Sequence, residues 1–155
     1  MDKRLAELIA TAIRREKDAF AFYTDLSGRV EDPAAREAIG WIAQEERKHR
    51  AFLEEFQASG KGPEALRLTP AVLYKVAEHL EEPALKPDMR SEEVFLLASH
   101  RELRSHNFYR EMAALYDEGD SVREMLLRIA NEELKHKEKM EYLYANTAFP
   151  QTDGG

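Results

Sequence analysis

Two phrases of the sequence combine glutamate with histidine at a spacing suited to metal binding. Residues 42–49 read IAQEERKH, and residues 129–136, 87 positions later, read IANEELKH, with six of the eight letters identical. Each phrase contains a Glu-x-x-His motif, and residues three positions apart on a helix lie on one face. Each motif can therefore direct a carboxylate and an imidazole toward the same ion. The four motif residues are Glu46, His49, Glu133 and His136.

The apolar residues around the motifs predict that both motifs face the core of a helical protein. The stripe through each motif alternates steps of three and four residues, which is the helical rhythm. The two stripes are Ile39, Ile42, Glu46, His49, Leu53, Phe56 and Leu126, Ile129, Glu133, His136, Met140, Leu143. Two further apolar stripes are each interrupted by one glutamate, at Glu16 and Glu102. The neighbouring Glu45 and Glu132 are expected to point away from the core.

Four carboxylates and two imidazoles on core stripes need a counter-charge. Burying such groups unpaired would cost several kcal/mol each, and no lysine or arginine shares their stripes. A single Glu-x-x-His could arise by chance on the solvent-exposed face of a glutamate-rich helix, but the core position of both copies argues against this. Two divalent ions would balance four carboxylates, and neutral imidazoles can complete their coordination. One glutamate from each of two helices plus Glu-x-x-His from each of two others is the ligand pattern of dinuclear carboxylate bundles.

Glycine and proline cluster between segments rich in helix-forming residues, which predicts an all-α fold. The expected helices cover residues 3–27, 33–60, 69–80, 91–116 and 121–145, the third being short. Their predicted N-terminal caps include Asp32, Ser91 and Ser121. Glu16 with Tyr23 and Glu102 with Tyr109 recur at an offset of 86, so the repeat covers a whole helical hairpin.

These elements predict a four-helix bundle made of two related antiparallel hairpins, joined by a long crossover that contains the short helix. We expect one domain over residues 1–145 and a flexible C-terminal tail over residues 146–155.

Composition narrows the classes of partner. The net charge of −7 offers no basic surface for nucleic acid or anionic lipid, and the chain has no long apolar run for a membrane span. The absence of cysteine means that any metal in this chain must be held by histidine and carboxylate. We expect a cytoplasmic protein that forms a homodimer and binds neither nucleic acid nor membrane.

The motifs resemble those of the rubrerythrin-like branch of the ferritin-like superfamily, over nearly the whole chain. The resemblance implies a ferritin-like bundle with a cofactor of two iron ions, although manganese or zinc also suits such ligands. It further implies that Glu46 and Glu133 bridge the ions. Glu16 and His49 would complete one ion, and Glu102 and His136 the other. The same six residues would carry catalysis.

Two features depart from the rubrerythrin pattern. There is no cysteine for a rubredoxin-type iron domain, and the extra carboxylate expected near Glu102 is replaced by Ser99 and Ser105. His106, four residues after Glu102, is either an additional ligand or a partly exposed histidine. Tyr23 and Tyr109 are either partners of the ligands or core aromatics.

Three functions follow from these residues. The first is an oxidoreductase that uses O2 or hydrogen peroxide to oxidise Fe(II), as a peroxide scavenger or ferroxidase, with electrons from an external donor. The second is an iron-handling or storage protein. The third is a structural bundle that metal ions merely stabilise.

Overall fold

Helices form the framework of the protein. The computed structural model describes residues 1–60 and 70–149. Its helices are α1 (Lys3–Ser27), α2 (Pro33–Ser59), α3 (Val76–His79), α4 (Ser91–Ala113) and α5 (Ser121–Ala148). Helices α1 and α2 pack as one hairpin, α4 and α5 pack as the other, and α3 lies in the connection between them, against α4. The predicted all-α four-helix bundle is confirmed.

The first hairpin is bounded by the residues that the sequence indicated. The Asp2 carboxylate accepts a hydrogen bond from the backbone N–H of Leu5, and Asp32 accepts one from Ala35, so each aspartate caps its helix. Helix α2 ends at Gly60, which has a φ of 71°. This left-handed conformation strains residues with a Cβ atom, so glycine suits the end of the helix.

The second hairpin begins differently from the prediction. Ser91 is the first residue of α4 and not its cap, because the backbone N–H of Arg90 is held by the Glu93 carboxylate at 3.1 Å. Ser121 likewise follows the cap of α5. The cap is Asp120, whose carboxylate accepts from the backbone N–H of Val122 at 2.8 Å.

Two other predicted boundaries shift. The short helix of the crossover begins at Val76, and residues 70–75 are not helical, while Thr69 lies outside the described residues. Helix α5 extends through Ala148, three residues beyond its predicted end, and so includes the start of the predicted tail. Residues 150–155 of that tail lie outside the described residues.

The core consists of two apolar clusters. One surrounds Ile9, Leu53 and Leu126, and the other surrounds Leu26, Ile39 and Met140. Each cluster draws on both hairpins, because every long helix runs from one cluster to the other. The polar residues of the four stripes lie along these helices between the two clusters. Their side chains are therefore shielded from water at both ends.

Candidate metal centre

Each long helix delivers its predicted polar side chains to the interior. The side chains come from α1 (Glu16), α2 (Glu46, His49), α4 (Glu102) and α5 (Glu133, His136). All six residues are buried, with exposed fractions between 0 and 5%. The helical stripes inferred from the sequence therefore point inward at these positions.

The six residues form two overlapping groups. In each group, one potential ligand atom from every member lies within 4.8 Å of the others. The groups are Glu16, Glu46, His49, Glu133 and Glu46, Glu102, Glu133, His136. Glu46 and Glu133 belong to both groups, which is the arrangement that two ions bridged by these carboxylates would require.

Hydrogen bonds inside the cluster cross between the hairpins. The Nδ1 atom of His49 lies 2.7 Å from Oε1 of Glu133, and Nδ1 of His136 lies 3.1 Å from Oε1 of Glu46. The two imidazole rings are stacked, with centroids 5.5 Å apart and an angle of 10° between their planes. Each histidine thus approaches the shared glutamate of the opposite hairpin.

In the metal-free cluster, protons provide the counter-charge. Burial, reinforced by the charge of neighbouring carboxylates, raises the pKa of Glu16 and Glu133 well above its ordinary value of 4.5. Burial alone would also raise the pKa of Glu46, but the neighbouring side chains of Glu16, His136 and His49 hold it well below that value. Burial disfavours a charged His136, yet the carboxylates of Glu102 and Glu46, which lie 3.7 Å and 3.1 Å from its Nδ1 atom, raise its pKa to about 10.

Several oxygen atoms of the cluster have no hydrogen-bond partner. They are Oε2 of Glu16, Oε2 of Glu133 and both oxygens of Glu102, all buried. Among the described residues, no lysine or arginine forms an ion pair with these carboxylates; their only such partners are His49 and His136. Buried carboxylate oxygens without partners are costly unless a cation binds them. The donor set therefore fits two metal ions with oxygen and imidazole ligands.

Two tyrosines flank the cluster and behave differently. The Tyr109 hydroxyl donates a hydrogen bond to Oε1 of Glu16 at 2.5 Å. Tyr23 occupies the corresponding place in the repeat, but its hydroxyl donates to the backbone carbonyl of Ala98 at 3.4 Å. Tyr109 is thus a partner of a candidate ligand, whereas Tyr23 is held by the backbone.

For two residues near the motifs, His106 and Glu132, the structure gives a position that the sequence pattern did not. His106 lies outside both groups, and its Nδ1–H donates to the carbonyl of Ala130 at 2.7 Å. Glu132, expected to point away, instead places a carboxylate oxygen within 4.8 Å of ring nitrogens of His49 and His136. It is about four-fifths buried at its side chain and reaches the histidines from the outer side of the cluster.

A second buried charge cluster adjoins the centre. Lys137 is 3% exposed, and its ammonium group lies 2.7 Å from Glu78 and 2.6 Å from Glu141. Glu141 also accepts hydrogen bonds from the backbone N–H groups of Val76 and Ala77, both at 3.1 Å. These contacts attach α3 to α5. The i,i+4 spacing of Lys137 and Glu141 was the only hint of this cluster in the sequence.

The described helices contain no segment long and apolar enough to cross a membrane.

Comparison with known proteins agrees with this geometry. None of the curated proteins matches the sequence. A solved structure of a hypothetical protein from Pyrococcus furiosus is similar in fold, with a TM-score of 0.63 and 22% sequence identity, over 96% of this chain and 92% of the other. The rubrerythrin family profile matches residues 7–85, which include most of α1, all of α2 and the first Glu-x-x-His motif. The chain belongs to the rubrerythrin family.

Proposed function

We propose that this protein is a dinuclear iron oxidoreductase that uses O2 or hydrogen peroxide to oxidise Fe(II), as a rubrerythrin-like peroxide scavenger or as a ferroxidase. One observation carries the proposal. Four buried carboxylates and two imidazoles form two overlapping ligand groups, and several of their oxygens lack any partner in the described protein. Membership of the rubrerythrin family supports iron as the metal.

The six residues would act as ligands of two ions. Glu46 and Glu133, which belong to both groups, would bridge the ions, with Glu16 and His49 on one ion. Glu102 and His136 would complete the other ion. When bound, the two Fe(II) ions supply electrons to O2 or peroxide at a common site.

The protein around the ions keeps their ligands fixed. The Tyr109 hydroxyl holds Oε1 of Glu16 at 2.5 Å and leaves Oε2 free to coordinate. The apolar clusters above and below exclude water from the two ends of the ligand cluster. Exclusion of water strengthens the electrostatic interactions of the ligands and limits side reactions.

The choice between enzyme, iron store and metal-stabilised scaffold depends on iron content and reactivity. Anaerobically purified protein should bind two Fe(II) per chain, and its near-ultraviolet absorbance should rise on exposure to O2 or hydrogen peroxide. Many iron ions per chain would favour storage. Two ions that never react with either oxidant would favour the scaffold, and one ion per chain would contradict the dinuclear site.

Three further expectations complete the proposal. An external donor returns electrons to the centre, because the chain contains no cysteine to hold a rubredoxin-type iron. The protein acts as a homodimer, and it acts in the cytoplasm. Size-exclusion chromatography with light scattering tests the dimer, and fractionation of the source cells tests the location.

A further inference from the structure

A cavity of about 250 Å³ leads from the surface between α1 and α4 to the metal centre. Glu46 and Glu102 form its buried end, since each is 1% exposed. Both oxygens of Glu102 lack a hydrogen-bond partner, so a carboxylate with unsatisfied acceptors lies at the cavity. The volume is below the 300–1,000 Å³ of most ligand pockets, which favours a small occupant.

The outer part of the cavity is rich in arginine. Arg15, Arg101 and Arg104 line it, against one carboxylate from Asp18. Arg104 is engaged by Glu82 at 2.6 Å. The other two guanidinium groups form no ion pair with a carboxylate within residues 1–60 and 70–149. The entrance therefore attracts anions and repels metal cations.

Arg15 and Arg101 are held in place by aromatic rings. The Arg15 guanidinium lies 4.1 Å from the ring centroid of Phe108, and that of Arg101 lies 3.7 Å from the ring centroid of Phe22. The two contacts are related by the repeat, at an offset of 86 residues. Stacking uses the faces of the guanidinium groups and leaves their in-plane N–H donors free. Planar carboxylates are the ligands that such a fork of donors suits best.

The charge at the cavity depends on the metals. Without metal ions, Glu46 and Glu102 would oppose an anion at the inner end. Two divalent ions balance the four glutamates and leave the positive charge of Arg15 and Arg101 to act on an anion, and oxidation to Fe(III) would add two more positive charges. An exogenous anion could balance these charges.

We propose that this cavity binds a small carboxylate of the size of formate, with Arg15 and Arg101 holding it beside Glu102 when the centre contains metal. The inference rests on the proposed dinuclear function. It makes the α1–α4 entrance a route for small anions and uncharged oxidants and not for iron ions.

The test uses the full chain loaded with Co(II), whose visible absorption reports on coordination without any turnover. Formate titrated into the cobalt protein should change the spectrum with saturation at one formate per chain. Arg101→Leu should weaken formate binding about tenfold, and the more exposed Arg15→Leu about threefold. Arg14→Leu is the matched control, since Arg14 lies outside the cavity and bonds to Thr11; its affinity should equal that of wild type.

Three results would overturn the inference. Unchanged formate affinity in both Arg15→Leu and Arg101→Leu, with two cobalt ions still bound and helical circular dichroism retained, would reject the cavity and leave the dinuclear function standing. Formate binding of equal strength to metal-free protein would reject the role of the metals. Failure of wild-type protein to bind two cobalt ions would reject both the inference and the proposed function.

Discussion

The two hairpins carry the same motif, yet they treat their terminal glutamates differently. Glu16 of the first hairpin receives a hydrogen bond of 2.5 Å from Tyr109. Glu102, its counterpart in the repeat, receives no such bond, since Tyr23 donates to Ala98 instead. Glu102 also lines the cavity, whereas Glu16 does not. In one half of the centre the terminal glutamate is therefore closed off and held by a tyrosine, and in the other half it is open to the cavity.

This difference shows that a sequence duplication need not build two equal half-sites. The two shared glutamates and the histidines follow the repeat closely, because each histidine pairs with the shared glutamate of the other hairpin. The outer contacts diverge, because Tyr109 donates to Glu16 whereas Tyr23 donates to the backbone of Ala98. An exogenous ligand can reach the Glu102 half without displacing a protein hydrogen bond.

The largest expected effect comes from removing the two carboxylates that both halves share. Glu46→Leu with Glu133→Leu should reduce metal binding from two ions per chain to none, as measured by metal analysis. The metal-free double mutant should melt at or above metal-free wild type, because desolvation and like-charge repulsion among buried carboxylates are relieved.

Glu45→Leu is the control for this variant, because Glu45 belongs to neither ligand group, pairs with the exposed Lys48 at 3.2 Å and should leave both ions bound. Metal-loaded wild type should melt above its chelated form by mass action. A large fall in the melting temperature of the chelated double mutant, relative to chelated wild type, would show that these glutamates make structural contacts beyond the cluster.

Single histidine substitutions should separate the two halves. His49→Ala should loosen the ion beside Glu16, and His136→Ala should loosen the ion beside Glu102, because each histidine belongs to only one of the two overlapping groups formed by the six predicted ligands. Each variant should retain about one tightly bound ion, with the second weakened at least tenfold in a competition titration with a chelator. Complete loss of both ions from either single variant would contradict the division into two halves.

The third effect concerns the tyrosines that distinguish the halves. Tyr109→Phe removes the donor to buried Glu16 and should cost about 1–3 kcal/mol in the metal-free protein, on the order of 2–10 °C in melting temperature. Tyr23→Phe is the matched control and should cost less than about 1 kcal/mol, because it loses only a bond of 3.4 Å to a carbonyl. Equal shifts in the two variants would remove the distinction between a closed and an open half.

The sequence predicted the helices and the six buried positions because both depend on local periodicity. A glutamate or histidine inside a stripe of alternating three- and four-residue steps lies on the inward face, whichever helix packs opposite. The cap at Asp32 was equally local, since an aspartate before a helix can bond within its own first turn.

The features that the sequence did not predict depend on contacts between distant segments. Glu132 approaches His49 only because α2 and α5 pack side by side, and Lys137 is buried only because α3 brings Glu78 over it. Periodicity identifies the face of a helix, but it does not identify the neighbour across that face. The same reason explains why the sequence could not separate Tyr109, a ligand partner, from Tyr23.

The smallest expected effect concerns the helix starts, where the two hairpins are capped in different ways. The second helix of the first hairpin is capped by Asp32, whereas α4 relies on Glu93, which accepts from the backbone N–H of Arg90 at 3.1 Å and also contacts the Lys86 ammonium group. The bond with Lys86 and the bond with Arg90 lower the pKa of Glu93 from 4.5 to about 2.

Because this pKa is lower in the folded state, the stabilisation by Glu93 is present above about pH 4.5 and is lost as the pH falls toward 2. Glu93→Gln should therefore lower the free energy of unfolding at pH 7 by less than about 1 kcal/mol, since the ion pair is accessible, and should lower the melting temperature accordingly. The difference from wild type should shrink between pH 4.5 and pH 3. Glu92→Gln provides the control, since Glu92 pairs only with the exposed Arg90 side chain at 3.1 Å and should show a smaller effect at pH 7. A difference between Glu93→Gln and wild type that stays constant from pH 7 to pH 3 would show that the amide replaces the cap fully, or that charge at Glu93 plays no part in holding the start of α4.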